Sequence, residues 1–202
     1  MKKSDHTRQR ILDAAASTLA NLGYAGTSIK AIADATGMQD ASLYYYFESK
    51  DALVLEVLQQ GTGMAERAVS EALQALGDEA DPLMALRVAI EAHARAVLGS
   101  GDYPRANVRN FGQLPAALVD AHIGDQRRYG AVWRDLLVRA IASGRLRTDL
   151  DATALRLLIL GALNWAPEWY ATDGHLSPAA VGEQMAEMVL NGLLAGTQRQ
   201  AR

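Results

Sequence analysis

Thr27-Ser28-Ile29-Lys30-Ala31-Ile32-Ala33-Asp34-Ala35-Thr36-Gly37-Met38-Gln39-Asp40-Ala41-Ser42-Leu43-Tyr44-Tyr45-Tyr46, residues 27–46, is the stretch whose reading decides the fold. Thr27 and Ser28 offer an N-cap before a short helix that carries Ile29, Ile32 and Ala33. Gly37 ends that helix, and the tight turn Thr36-Gly37-Met38-Gln39 leads into a second one. A glycine at the turn permits a positive φ and brings the two helices together steeply, which is helix-turn-helix geometry. Ile29, Ile32, Ala33, Met38, Leu43 and Phe47 take the inward positions, leaving Gln39, Asp40, Ser42, Tyr44 and Tyr45 to solvent. Such a helix is slim enough to enter a DNA major groove with its first residues against base edges. The same pattern also suits a plain αα-hairpin packed on a core.

Working outward, the whole chain reads as helix. Ile11, Leu12, Ala15, Leu19 and Leu22 form one apolar stripe on a first helix, and Gly23 ends it in the left-handed cap position. Ser49 caps a long helix that passes through Val54, Val57 and Leu58 towards Leu76. Four of the five prolines stand where helices begin, Pro82, Pro104, Pro115 and Pro178, where a missing N–H has no intrahelical partner. The expected helices are 5–22, 28–35, 39–46, 50–76, 82–99, 104–111, 115–143, 151–172 and 177–196. No alternating strand pattern, internal repeat or low-complexity tract interrupts them. The expected fold is all-α with about nine helices.

Composition narrows the classes. Of 202 residues, 50% are hydrophobic and 21% charged, enough to bury a sizeable core. A net charge of −3 and a pI near 5.8 argue against a generic polycation that coats nucleic acid. The absence of cysteine excludes disulfides, thiolate nucleophiles, iron–sulfur clusters and Cys-ligated zinc. The longest uninterrupted apolar run, Leu157 to Leu163, is too short to span a membrane. After Lys2 and Lys3, Asp13 breaks the region that a signal peptide would keep apolar. A cytoplasmic protein with no membrane partner is expected.

The average charge hides an asymmetry. Residues 1–50 carry six basic side chains against five acids, whereas the rest carries 14 arginines against 18 acids. All four lysines, and four of the twelve aromatics in a row from Tyr44 to Phe47, lie in that first quarter. A boundary near residue 50 follows, with a domain over 1–50 and another over 51–202.

Thr27-Ser28-Ile29-Lys30-Ala31-Ile32-Ala33, then Thr36-Gly37-Met38, then Leu43 to Leu53 with its Tyr-Tyr-Tyr-Phe-Glu-Ser-Lys run, resemble the DNA-binding domain of TetR-family repressors. The signature covers about the first 58 residues: helix order, turn glycine, aromatic run and Ser-Lys pair occur together. The resemblance implies an all-helical homodimer, with three DNA-binding helices ahead of a helical ligand-binding and dimerisation domain. It implies that Ser28 and Lys50 contact phosphate, and that Tyr45 is shared between phosphate and base. It also implies that Lys30, Ala41, Ser42 and Tyr44 reach base edges; Gln39 joins them at the start of the second helix. Lys50 is poorly placed for its helix dipole, and a phosphate partner explains a cation there. Asp40 departs from the pattern: a carboxylate facing DNA repels phosphates unless it caps its own helix, the reading favoured here. Tyr46 stands where the family often has histidine and reads as structural.

Beyond residue 60, Leu155, Leu158, Ile159 and Ala162 mark one apolar face, and Val181, Met185, Met188, Val189 and Leu193 another. Two such terminal helices resemble the four-helix dimer interface of the TetR family, although ordinary intrachain core needs some of the same residues. The segment Asn164-Trp165-Ala166-Pro167-Glu168-Trp169-Tyr170 has three large aromatics within six residues and a proline that kinks a helix. With Asp173 to Pro178 it resembles the C-terminal domains of TetR-type regulators of fatty-acid and steroid-ring breakdown, many of which respond to acyl-CoA thioesters. Among Tyr103, Arg105, Asn107, Arg109 and Asn110, the two arginines share a helix face, and paired guanidiniums suit phosphate or carboxylate. Arg105, Arg109, Trp133, Trp165, Trp169 and Tyr170 are therefore the expected effector-binding set. Core aromatics and solvated arginines are the plain alternative.

No catalytic or metal-binding residue is expected. His6, His93, His122 and His175 are scattered, without an HExxH or Glu-x-x-His pair, and no phosphate-binding glycine motif occurs. The reading is a repressor that binds a palindromic operator as a homodimer and is released by a small-molecule effector, an acyl-CoA thioester being the candidate, with no cofactor. A multidrug or aromatic-ligand sensor is the alternative, a ligand-free architectural helix-turn-helix protein a further one, and an all-α enzyme the remote one.

Overall fold

The computed structural model describes residues 3–110 and 112–194. Among them run nine helices: α1 (Lys3–Gly26), α2 (Ile29–Thr36), α3 (Asp40–Tyr46), α4 (Lys50–Leu76), α5 (Pro82–Gly99), α6 (Asp102–Asn110), α7 (Ala116–Ala142), α8 (Ala152–Trp169) and α9 (Pro178–Leu193). The one β-type pairing among these residues is an isolated bridge between Leu146 and Leu194. The all-α expectation holds, most helix ends falling within one to three residues of those read from sequence. Expected position 111 and the last two residues of the 177–196 helix lie outside the described residues.

Local chemistry explains the ends. Asp81, Asp151 and Ser177 cap α5, α8 and α9 by accepting from the N–H of Leu83, Ala154 and Ala180. Pro82 and Pro178 open their helices, whereas Pro104 sits in the first turn of α6 and Pro115 just precedes α7. Three expectations need correction. Gly23 has a positive φ of 70° but an extended ψ of 175°, so it bends α1 without stopping it, and the turn Tyr24–Gly26 follows. Leu22, placed on the buried stripe, stands exposed beside Gly26 at this bend. At the other end of the chain, α8 runs through Pro167 and stops at Trp169 rather than 172, because Tyr170 is extended.

The helices group into two compact units. The first comprises residues 1–63 with 100–126, the second 64–99 with 127–202. The charge break near residue 50 marks the start of α4, not the edge of a unit; the first unit also takes α6 and the start of α7. Within the first unit α6 crosses closely over α4. A Cβ at Gly61 would stand 2.9 Å from the Tyr103 carbonyl oxygen and 2.3 Å from Asn107 Nδ2, which donates to the Leu58 carbonyl at 3.0 Å. Only a residue without a side chain lets the two backbones approach so closely. Gly61→Ala should therefore destabilise the protein by about 1–2 kcal/mol, overpacking outweighing the better helix propensity of alanine. Urea unfolding of the two proteins measures it; an unchanged midpoint would show that the crossing relaxes freely.

In the second unit α5 is the central element. Leu83, Leu86, Ala89, Ile90, Ala94 and Val97 are buried among side chains that include Leu136, Leu137 and Ala140 of α7, Ile159 and Leu163 of α8, and Ala186 and Leu190 of α9. The apolar faces read from α8 and α9 are split. Leu155, Ile159, Val181 and Leu193 are core, whereas Leu158, Ala162 and Met188 are exposed.

Candidate nucleic-acid interface

The turn between α2 and α3 is built as its residues dictate. Ser28 Oγ accepts from the Ala31 N–H at 3.1 Å and caps α2. Gly37 is left-handed, φ 68° and ψ 27°, and its N–H reaches the carbonyls of Ala33 and Asp34. Ile29, Ile32, Ala33, Leu43 and Phe47 are buried and Met38 half-buried. Helix α1 braces this pair. Arg10 donates to the Thr36 carbonyl at 3.0 Å, and Arg8 pairs with Glu56 while its guanidinium lies 4.7 Å from the Phe47 ring centroid.

None of the eight residues singled out for DNA is buried. Ser28, Lys30, Gln39, Ala41, Tyr44 and Tyr45 are exposed; Ser42 and Lys50 are half-buried. Tyr45 is 82% exposed, its ring set edge-on to that of Tyr46 and otherwise open to solvent. Lys30 pairs with Asp34 at 3.5 Å, one turn along α2. Two local expectations change. Asp40 does not cap its helix: it is the first residue of α3, and Gln39 holds the cap position without a side-chain hydrogen bond. In the first turn a carboxylate still complements the helix dipole. Lys50 also has a partner inside the chain, donating to the Tyr24 carbonyl at 2.7 Å with Nζ 3.9 Å from the Tyr24 ring centroid.

Tyr24 is the node that sequence reasoning missed. Its hydroxyl donates to Asp51 at 2.7 Å, which holds the phenol above its usual pKa. Its N–H donates to Asn110 Oδ1 at 2.6 Å, while Asn110 Nδ2 donates to the carbonyls of Leu19 and Ala106. Fully buried Asn110 thus satisfies backbone groups that the Gly23 bend removes from the helical ladder. Tyr103 adds a second polar tie from α6 to α1, donating to Asp13 at 2.8 Å and accepting from Gln9 at 2.9 Å. Burial pushes the Tyr103 phenol well up.

The six expected effector residues are not gathered alike. Arg105 and Arg109 belong to the first unit and have internal partners, Asp102 at 3.5 Å and the Asn21 carbonyl at 3.3 Å. The four aromatics belong to the second unit, where they diverge. Trp133 is fully buried edge-on to His93 and Tyr129, Trp165 and Trp169 are exposed, and half-buried Tyr170 donates to the Leu176 carbonyl at 3.0 Å. Around Trp133 lies a polar chain. The Tyr129 hydroxyl and His93 Nδ1 are 2.6 Å apart, and His93 Nε2 is 3.1 Å from Asn164 Oδ1. Burial lowers the His93 pKa to about 4, so the ring is neutral at pH 7. One arrangement then satisfies both contacts: Tyr129 donates to Nδ1, and Nε2–H donates to Asn164. The sequence hinted at this chain only through isolated polar residues on apolar helices. No group of three metal-ligating side chains gathers among the described residues, nor is any helix among them long and apolar enough to cross a membrane.

Residues 11–57 match the family described as bacterial regulatory proteins, tetR family, and residues 79–193 match the tetracyclin repressor-like C-terminal domain. The transcriptional repressor KstR2 of Mycolicibacterium smegmatis is 31% identical over 92% of this chain and 90% of its own length. Among solved structures, the ketosteroid transcriptional regulator KstR2 of Mycobacterium tuberculosis shares 25% identity with a TM-score of 0.83, over 94% of this chain and 96% of that one. AibR, solved in complex with isovaleryl coenzyme A and operator DNA, has the same fold at 24% identity and a TM-score of 0.76, over 90% and 96% of the two chains.

Proposed function

This chain belongs to the TetR family of bacterial regulatory proteins, and on that premise we propose that it is a repressor that binds a palindromic operator as a homodimer and leaves it when an acyl-CoA thioester binds the second unit. The observation that carries the DNA half is the exposure of Tyr44 and Tyr45 on a short helix whose inner face is buried and braced. In this reading Ser28, Tyr45 and Lys50 hold phosphates while Lys30, Gln39, Ala41, Ser42 and Tyr44 face bases. Residues 1–50 are then the DNA-reading part and 51–202 the part that dimerises and senses. The thioester is supported by the aromatic-rich α8 and by AibR, a fold neighbour solved with isovaleryl coenzyme A.

Lys50→Ala should weaken binding to every operator variant about equally, by roughly tenfold, and reduce the slope of log K against log salt by about one unit. Change at Tyr44 should instead redistribute preference among variants. Release requires that the effector favour a dimer whose recognition helices no longer match the half-site spacing. A footprint titration on the DNA flanking the protein's own gene, with CoA, free acids and acyl-CoA thioesters added in turn, tests the whole reading. Protection lifted by a thioester supports it. Absence of any footprint sinks the repressor, and release by neutral aromatics alone replaces the thioester with a multidrug-type ligand.

A further inference from the structure

Four arginines are half-buried among the described residues, and three of them are paired: Arg8 with Glu56, Arg87 with Glu91 and Glu187, Arg105 with Asp102. The fourth, Arg156 on α8, has no hydrogen bond or ion pair to any described residue. A guanidinium stays charged at any pH a folded protein meets, and partial withdrawal from water without an anion is costly.

The side chain lies over a gap made by glycine. A Cβ built at Gly130 of α7 would stand 2.9 Å from Arg156 Nη1 and 3.7 Å from Cζ. Bare backbone at position 130 is therefore what lets the planar fork lie against α7. One turn along the same face of α7, Trp133 is fully buried, and its Nε1–H is directed at the Tyr129 hydroxyl, a contact that partly offsets the upward push of burial on that phenol. The nearest polar chain is already saturated: Tyr129, the residue before Gly130, is committed to His93, and His93 to Asn164, two turns beyond Arg156 on α8. Glu66, the acid whose charge reaches Tyr129, is held by Arg128 at 3.2 Å.

We propose that Arg156, lying against Gly130, binds an anionic oxygen group of the effector, a carboxylate or a phosphate. This deepens the ligand-responsive reading above and rests on it. A flat, two-pronged donor suits the paired oxygens of such groups better than a point charge does. It also places charge recognition on α8, away from Arg105 and Arg109, which spend their guanidiniums on α6 and α1.

The test does not require the effector to be known. Thermal unfolding of the full-length protein is followed against inorganic phosphate, acetate and isovaleryl-CoA, each at ionic strength matched with sodium chloride. A ligand that binds the folded state raises the midpoint saturably. The wild type is expected to show a saturable rise with at least one of the three anions. Arg156→Met should weaken that anion at least tenfold, and Arg156→Lys should keep part of the response. In Gly130→Ala the new methyl displaces the guanidinium tip, which is flexible, so the variant stays folded but loses affinity. Which anion acts distinguishes a free acid from a CoA phosphate. A response equal in wild type and Arg156→Met, or no saturable response in the wild type, overturns the proposal. So does a result in which Arg156→Met shifts only the monomer–dimer equilibrium, because the missing acceptor is then a carboxylate of a second copy. Operator release that persists unchanged in Arg156→Met would leave the repressor reading standing while removing this site.

Discussion

Replacing Leu158 with glutamate is expected to yield a folded monomer whose operator affinity falls by about a thousandfold or more. Leu158 is 70% exposed and begins a stripe on α8 that continues through Ala162, Trp165 and Trp169, at i, i+4, i+7 and i+11. Every member of the stripe faces solvent in the single chain, and Met188 on α9 is likewise exposed. An isolated apolar side chain on a surface is unremarkable, but a stripe three turns long is the mark of a partner. Because Leu158 contributes little to the fold of one chain, a glutamate there costs the monomer almost nothing. In a two-fold dimer the same change places two like charges in an apolar seam, each without a partner. The loss propagates to DNA because one short recognition helix buries too little to hold a specific site alone, and two linked half-sites multiply their contributions. Sedimentation at micromolar concentration and a footprint titration read the two effects together. A variant that remained dimeric and kept wild-type affinity would place the dimer seam elsewhere, whereas a monomer with wild-type affinity would remove the need for a dimer.

What the sequence made legible was governed by distance along the chain. The ends of α2, α5 and α9 follow from caps whose donor and acceptor lie two or three residues apart: Ser28 with Ala31, Asp81 with Leu83, Ser177 with Ala180. Local rules suffice for those. Asp40 shows where they stop sufficing, since the choice between cap and first helical turn depends on the dihedral angles of Gln39. Lys50 shows the larger gap. Its place in the first turn of α4 argued for an external anion, but the Tyr24 carbonyl and ring, 26 positions upstream, already supply an internal partner. Phosphate would have to share that ammonium rather than meet it unengaged. Asn110 bonds to Tyr24 across 86 positions, and no periodicity announces it. Arg156 escaped notice for a related reason: its isolation is a property of what surrounds it in space, and a sequence records only what surrounds it in the chain.

The stability of the protein should fall by about 3 kcal/mol more steeply in the wild type than in His93→Gln as pH drops from 6.5 to 4. His93 is fully buried and its pKa is lowered from 6.5 to about 4, chiefly by desolvation, with the Asn164 contact opposing the shift. Well above pH 6.5 the ring is neutral both folded and unfolded, so it contributes no pH dependence there. Between 6.5 and 4 the unfolded chain takes up a proton that the folded chain refuses, and the folded state loses ground at up to ~1.4 kcal/mol per pH unit. Below about 4 the folded ring is protonated as well and the loss levels off. Protonation would also undo the polar chain, because Nδ1 could no longer accept from the Tyr129 hydroxyl at 2.6 Å. His122, its pKa lowered by burial, leans on the same window, whereas Glu187, lowered by the Arg87 contact, loses its contribution below that window. The comparison with His93→Gln isolates position 93, since glutamine offers a donor and an acceptor but does not titrate. Urea midpoints measured every half unit of pH for both proteins give the two curves. Parallel curves would mean that His93 takes up its proton in the folded state at its ordinary pKa, and that water reaches the ring between α5, α7 and α8.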